Sequence, residues 1–372
     1  MEPSADDLVR RLDRRQRRLL IGVSGLAALL LLLLAGILFY WSAYLLGPSG
    51  SPFTRGPYLL RVDAERATLR WRTDASQAVA LRAVDPQGRE IVGTADGVLA
   101  GLEPGVRYAW TASVDGRAAA AGSFATPPAD PGAPISFVAF ADYGAGGDPE
   151  WAVARVAAAQ RPDFVLAPGD NSYLVADDRV LDRNIFRPLR ALLADAPLFT
   201  TLGDPHDTAL DGGASIVRAF DLPADGIYTV AWGPVQVVVL GTDGAAPAAL
   251  AHAERSLAEG AFAHRIVVVH DPLQPGDPLL PLLRARGVEV VLAGDNHRYE
   301  RRVIEGVLQL TVGTGGAPRG AFTPESADAD VSIATFGLLR VDIIGPRVTY
   351  TFLDATGRVR DRLERAGAAV AP

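Results

Sequence analysis

Acidic and histidine side chains recur after short apolar runs in the second half of the chain, and these residue types can bind metal ions. The chain has no cysteine, so a metal ion would be held by carboxylate, imidazole, amide or phenolate groups. Asp142 and Asp170 could each cap a helix instead, but their spacing with His270 and His297 favours metal binding. The candidate side chains, in chain order, are Asp142, Asp170, Tyr173, Asp204, His206, His270, Asp295 and His297.

The apolar runs before these residues predict buried strands. A helix is predicted at 150–160, with Asp148 as an acidic N-cap and Pro149 at the first position. Strands that alternate with helices indicate a layered α/β domain, in which ligands bind at the carboxyl ends of the strands. Predicted strands lie at 136–141, 163–167, 198–202, 235–240, 266–269, 288–293 and 307–312, with closing strands at 336–343, at 347–353 and after Gly357.

A separate all-β domain is predicted at 52–127. Residues 68–72 and 106–112 alternate between polar and apolar types, which indicates half-buried strands. The segment that ends at Tyr108 resembles the corner of fibronectin type III-like sandwiches, where a tyrosine hydroxyl bonds to upstream backbone. A proline-rich segment then predicts a semi-rigid linker to the α/β domain at 135–365.

The N-terminus predicts one transmembrane signal-anchor helix at 19–46. No residue in this range is charged, and a span needs about 20 apolar residues. Residues 1–18 are rich in arginine, and such a segment stays in the cytoplasm. The rest of the chain is therefore expected in the cell envelope, the periplasm or the exterior. A cleaved signal peptide is the alternative, but its apolar region would be only about 7–15 residues long.

The charge balance excludes one class of partner. The formal net charge is -7, and a nucleic-acid-binding surface would need a basic patch. No nucleic acid is therefore predicted as a partner. His252 and His264 lie outside the candidate motifs and are predicted to be surface residues.

Taken in order, the motifs resemble those of calcineurin-like metallophosphoesterases, and most of all purple acid phosphatases with an N-terminal fibronectin III-like domain. The order is Asp-x-Gly, Gly-Asp-x-x-Tyr, a Gly-Asn-His-like turn, Val-x-x-His-x-Pro, and a Gly-His-x-His-like loop followed by Tyr-Glu-Arg. The resemblance covers residues from about 54 to 364. It implies a four-layer αββα metallophosphoesterase sandwich, preceded by an all-β fibronectin III-like sandwich and the transmembrane helix.

The resemblance also implies two divalent or trivalent metal ions that polarise the phosphorus, with a metal-bound hydroxide as the nucleophile. It assigns Asp142, Tyr173 and His297 to the first ion, Asp170 to both ions and His270 to the second. Tyr173 as a phenolate implies iron, with a charge-transfer colour, and the second ion would be manganese, zinc or magnesium.

Three further residues have implied roles with open alternatives. His206 would donate a proton to the leaving alkoxide, or it is an unrelated exposed residue, because Pro205 lengthens the turn before it. Arg298 and Arg301 would hold the phosphate, or they pair with nearby acids.

The second metal site departs from the family pattern. Asp204 stands where the family has asparagine, and Asp295 stands where it has the first histidine of its loop. Two carboxylates in place of neutral donors suit manganese, magnesium or calcium better than zinc. They also repel a phosphate, so the second site could hold a different ion, hold one weakly or hold none.

These observations predict a membrane-anchored, extracytoplasmic, metal-dependent phosphatase that hydrolyses small phosphate monoesters. One alternative is a hydrolase of phosphodiesters, nucleotides or lipid headgroups. The other is a degenerate, non-catalytic binding module of the cell envelope that keeps the fold, which the changes at Asp204 and Asp295 motivate.

Overall fold

The computed structural model describes residues 30–37, 51–73, 77–173, 176–208, 211–317 and 326–366, without the side chains of Pro205 and His206. The chain divides into two units, Met1–Gly50 and Ser51–Pro372. In the first unit residues 30–37 are helical, and no helix within the described ranges is long and apolar enough to cross a membrane. The rest of the predicted span at 19–46 lies outside those ranges.

Two small antiparallel sheets begin the second unit. Tyr108 and Trp110 alternate with more exposed neighbours and lie in the core. The Tyr108 hydroxyl accepts a hydrogen bond from the backbone N–H of Glu103 at 2.8 Å, as the corner motif predicts. One sheet contains β1 (Phe53–Val62), β2 (Arg66–Thr73) and β5 (Val98–Ala100), and the other contains β3 (Val79–Val84), β4 (Glu90–Val92), β6 (Arg107–Val114) and β7 (Arg117–Ala125).

Two larger mixed sheets follow. The first has the order β10-β9-β8-β18-β19-β20, with β8 (Ile135–Ala139), β9 (Phe164–Ala167), β10 (Leu198–Thr200), β18 (Gly337–Ile344), β19 (Arg347–Asp354) and β20 (Val359–Ala366). The second has the order β11-β12-β13-β14-β16-β15-β17, with β11 (Ile227–Trp232), β12 (Val235–Leu240), β13 (His264–Val268), β14 (Val290–Ala293), β15 (Tyr299–Ile304), β16 (Val307–Val312) and β17 (Val331–Ile333).

Each large sheet buries both faces. Phe137 and Val237 belong to a core shared by the two sheets, while their neighbours Val138 and Val238 belong to separate clusters that contain helical residues. This is the alternation that a strand imposes on its side chains. The helices are α1 (Asp148–Ala159), α2 (Asp178–Leu181), a π-helix (Asp182–Phe186), α3 (Arg190–Asp195), α4 (Pro205–Thr208), α5 (Ala214–Phe220), α6 (Pro247–Ala258) and α7 (Leu279–Ala285).

Most predicted strands are confirmed within two residues, and those at 235–240 and 307–312 match at both ends. The prediction of Asp148 as an N-cap is wrong, because Gly147 has the extended cap conformation and Asp148 is the first helical residue. The prediction of His264 as a surface residue is also wrong, since its side chain is 2% exposed and contacts Glu289 at 2.9 Å.

Hydrogen bonds join the small sheets to the α/β part. The Trp110 indole donates to the Ala194 carbonyl at 2.8 Å, and the Ser123 backbone N–H donates to Asp195 at 2.7 Å. Both acceptors lie in α3. The two hydrogen bonds cross the predicted boundary between 52–127 and 135–365. That boundary stays a prediction.

Candidate metal centre

Two groups of acidic and histidine side chains meet at the ends of the strands. Asp142, Asp170 and His297 form the first group, and Asp170, Asp204 and His270 form the second. Within each group the ligand atoms, one from each residue, lie within 4.8 Å of one another. Asp170 belongs to both groups, so one carboxylate connects them.

The topology of the two large sheets explains this convergence. Asp142, Asp170 and Asp204 follow β8, β9 and β10, which are parallel neighbours in the first sheet. His270 and His297 follow β13 and β14, which are parallel neighbours in the second sheet. The carboxyl ends of both sets of strands therefore supply one site.

The backbone is strained at three of the predicted ligands. Asp142, Asp170 and Asp295 have φ angles of 58°, 50° and 62°. The left-handed region costs a residue other than glycine roughly 1–2 kcal/mol, and such strain gathers at functional sites. This backbone strain occurs just after strands in both large sheets, which supports a functional role for these turns.

Two glycines let neighbouring backbone reach the buried carboxylates. A Cβ atom on Gly313 would lie 2.1 Å from Oδ2 of Asp142, and one on Gly203 would lie 2.1 Å from Oδ1 of Asp170. Any other residue at either position would collide with a carboxylate oxygen. These glycines are therefore part of the geometry of the site.

Tyr173 contacts two members of the first group, Asp170 and His297. Its hydroxyl donates a hydrogen bond to Oδ2 of Asp170 at 2.9 Å and lies 2.9 Å from Nε2 of His297. Burial raises the pKa of Tyr173 above its ordinary value, and the charges of Asp142 and Asp170 raise it further. The phenol therefore keeps its proton unless a strongly charged cation replaces it.

His270 presents one defined nitrogen to the site. Its Nδ1 lies 2.7 Å from the Pro168 carbonyl, which only accepts hydrogen bonds, so Nδ1 carries a proton and Nε2 faces the carboxylates. Burial alone would lower the pKa of His270, but the charges of Asp142 and Asp170 outweigh it and raise the pKa to about 9.

Two buried ligand atoms fit a cation. Oδ2 of Asp142 and Nε2 of His270 are inaccessible to solvent and have no hydrogen-bond partner among the described residues. Burial raises the pKa of Asp142 well above its usual range; His270 opposes this and Asp170 adds to it. Uncompensated buried charge is costly, and a bound cation would neutralise it. The donor set therefore suits a metal ion.

Asp207 supports the site, although the sequence assigned it no role. Its carboxylate accepts hydrogen bonds from the backbone N–H groups of Asn171, Ser172 and Gly203, at 2.7, 3.0 and 2.8 Å. Burial, followed by the charge of Asp170, raises the pKa of Asp207 to about 7. Asp207 thus ties together the loops that carry Asp170 and Asp204. Its position in the same short motif as Asp204 was the available signal.

Asp295 reaches the site differently from the other predicted ligands. Its carboxylate belongs to neither group, whereas its backbone N–H donates to Oδ1 of Asp142 at 3.2 Å.

Asp271, which follows His270, is exposed. Partial burial of its carboxyl group raises the pKa of Asp271; His270 opposes this, and Asp295 and other nearby acids add to it. The second group therefore lies in an acidic environment.

The two predicted phosphate-binding arginines differ in their partners. Arg301 donates to Asp361 through Nε at 2.9 Å and through a second guanidinium nitrogen at 3.3 Å. This is the pairing with a nearby acid that was the alternative to phosphate binding. Arg298 is 12% exposed and lies 4.0 Å from Glu300, and its buried Nε and Nη1 have no hydrogen-bond partner among the described residues. The backbone of His206 lies in α4, and its side chain is outside the described part of the chain. Its role as a proton donor stays a prediction.

Comparisons with known proteins identify the fold. No family model and no curated protein sequence matches the chain. Purple acid phosphatase PPD1 from yellow lupin (Lupinus luteus) seeds superimposes with a TM-score of 0.70 at 14% identity, over 84% of this chain and 74% of that one. PhoD gives a TM-score of 0.58 at 13% identity, over 86% of this chain and 90% of that one.

A third similar structure is GAP50 of Plasmodium, described as the anchor in the inner membrane complex. Its TM-score is 0.51 at 14% identity, over 63% of this chain and 89% of that one. Together with the two sheets and the shared Asp170, these similarities show that the chain has the calcineurin-like metallophosphoesterase fold.

Proposed function

We propose that this chain is a metal-dependent hydrolase that cleaves phosphate monoesters at a dinuclear metal centre. The observation that carries the proposal is the position of Asp170, a 2% exposed carboxylate shared by two groups of metal-ligand type. Metal ions bound there would polarise a phosphate ester and activate water for hydrolysis. The fold supports the proposal, because two similar structures are named as a phosphatase and PhoD.

The residues of the chain would act by holding ligands in place. Asp142 and His297 would bind the first ion, with Tyr173 as a further ligand. Asp204 and His270 would bind the second, and the Pro168 carbonyl keeps the His270 ring oriented. Water would add to phosphorus, the ester bond would break, and His206 would give its proton to the leaving alkoxide.

We further infer that the two large sheets and their helices form a four-layer αββα sandwich, preceded by a fibronectin III-like domain. The shared core between the sheets and the Tyr108 corner support this. We also propose that the N-terminal segment anchors the protein in a membrane with the catalytic part outside the cytoplasm. The uncharged range at 19–46 after an arginine-rich start supports it.

A degenerate binding module is the second candidate function. The observation in its favour is that the Asp295 carboxylate belongs to neither metal group, while a histidine is implied there by the family resemblance. The second ion would then have Asp170, Asp204 and His270 as its protein ligands. A chain that held this second ion weakly or not at all would lack the two-metal centre that the proposed hydrolysis uses.

The test is hydrolysis by the full chain loaded with manganese, iron, zinc or magnesium. We expect p-nitrophenyl phosphate to be hydrolysed faster than bis(p-nitrophenyl) phosphate, and Asp142→Asn to abolish both activities. Faster cleavage of the diester would favour the phosphodiesterase alternative. No hydrolysis with any of these metals would favour the binding module.

A further inference from the structure

A buried arginine of the N-terminal strands binds the segment that follows Tyr173. Arg55, on β1, is 5% exposed, and its guanidinium pairs with Asp178 at 2.9 Å and with Asp182. The same guanidinium lies 4.5 Å from the ring centre of Phe186. Because a planar guanidinium can bond two carboxylates and stack on an aromatic ring, Arg55 fixes the orientation of the π-helix that Asp182 begins.

The π-helix in turn places Asn184 against the loop of the first metal group. Asn184 is 3% exposed, and its Nδ2 donates to the Gly144 carbonyl at 3.1 Å. Gly144 follows Asp142 by two positions, and a Cβ on it would lie 1.8 Å from the Asn171 carbonyl oxygen. Asn171 directly follows Asp170. Asn184 therefore holds the loop that follows Asp142, and Gly144 of that loop packs against the residue after Asp170. Short π-helices often occur at functional sites.

We propose that Arg55 and Asn184 are positioning residues of the first metal group, and that the N-terminal sheets hold that group in place through them. The inference rests on the proposed function, because metal binding is the property that the contacts would serve. Ligand loops must be fixed to within about 0.5 Å for tight binding. Partners outside the ligands change metal affinity by about 10–100-fold.

Arg61 provides a matched control on the same strand. It joins β1 to Asp221, donating to its carbonyl at 2.7 Å and pairing with its carboxylate at 3.1 Å. Arg61 is 61% exposed, and Asp221 follows α5 rather than the π-helix. Its loss removes a contact between the same parts of the chain without touching Asn184.

The experiment is calorimetric titration of the full chain with Mn²⁺, alongside Arg55→Met, Asn184→Asp and Arg61→Met. Asn184→Asp keeps the shape of the side chain but replaces its N–H donor with an oxygen that faces the Gly144 carbonyl. We expect the first two variants to weaken one of two binding steps about tenfold. Arg61→Met should bind Mn²⁺ as the wild type does.

Thermal unfolding of the same samples separates positioning from folding. A folded Asn184→Asp variant with unchanged Mn²⁺ affinity would overturn the inference, while two ions bound to the wild type would leave the proposed function standing. An equal loss of Mn²⁺ affinity in Arg61→Met and Arg55→Met would also overturn the inference. Any contact between β1 and the α/β part would then have the same effect on metal binding. A wild-type chain that binds none of manganese, iron, zinc and magnesium would overturn both.

Discussion

Oδ1 of Asp170 lies 3.4 Å from Nε2 of His270, and Oδ2 of the same carboxylate accepts a hydrogen bond from Tyr173 at 2.9 Å. The two oxygens of one side chain therefore face different metal groups. A carboxylate in this position can bridge two cations.

Asp204→Ala should lose one metal ion per chain, whereas Asp295→Gly should keep both. The Asp204 carboxylate belongs to the second group, while Asp295 contacts Asp142 through a backbone N–H that the substitution preserves. Elemental analysis after dialysis measures the difference. If Asp295→Gly loses an ion as readily as Asp204→Ala, the Asp295 carboxylate is a ligand after all.

Iron loading should colour the protein, and Tyr173→Phe should remove the colour while the chain stays folded. The Tyr173 hydroxyl lies 2.9 Å from both Asp170 and His297, within reach of an ion at the first group. Its pKa is raised by burial and by the nearby acids, so a strongly charged ion is needed to displace the proton. Visible absorbance is the measurement. A colour that survives in Tyr173→Phe would show that the phenolate is not its source.

Glu150→Gln should stabilise the protein at alkaline pH. Burial raises the pKa of Glu150 to about 8, and the Gly146 N–H bond opposes this only partly. The folded state then keeps a proton that the unfolded chain releases near pH 4.3, so Glu150 lowers stability as the pH rises from about 4.3 to 8. Urea unfolding should show a gain for Glu150→Gln at pH 8 and none at pH 4. A less stable variant at pH 8 would contradict this.

His264→Gln should cost more stability at low pH than at high pH. Burial alone would lower the pKa of His264, but Glu289 and the Gly345 carbonyl raise it above its ordinary value. A raised pKa gives stability that is fully present below the unfolded value of about 6.5 and is lost as the pH rises through the folded pKa. The wild-type advantage in urea unfolding should therefore shrink with rising pH. Glu289→Gln should show the same trend, and a pH-independent difference would argue against the ion pair.

The sequence predicted most strands at the core of the α/β part, because buried strands follow local rules. Valine-rich runs such as 235–240 indicated buried strands, and each acid or histidine came directly after a run. The strand β15 was missed because Glu300 and Arg302 interrupt its apolar pattern. Both are buried and bond to partners distant in sequence: Glu300 accepts a hydrogen bond from Ser326, and Arg302 pairs with Asp328.

The support of the site could not be predicted from the sequence. The Asp207 carboxylate accepts hydrogen bonds from three backbone N–H groups of two loops, and although Asp207 shares a short motif with Asp204, the motif does not predict these bonds. Arg55 contacts Asp182, which is more than a hundred residues away in the sequence. Asn184 contacts Gly144, which is forty residues away. Such contacts depend on the tertiary fold.

Metal content per chain in the wild type and in Asp170→Asn tests the central claim most directly. Asparagine keeps the size of Asp170 but removes the charge that both groups share. Elemental analysis of the full chain, purified without chelators, should give two metal ions for the wild type and, after dialysis, fewer than one for Asp170→Asn. Two ions retained in the folded variant, or none in the wild type after loading with manganese, iron, zinc and magnesium, would contradict a dinuclear centre built on Asp170.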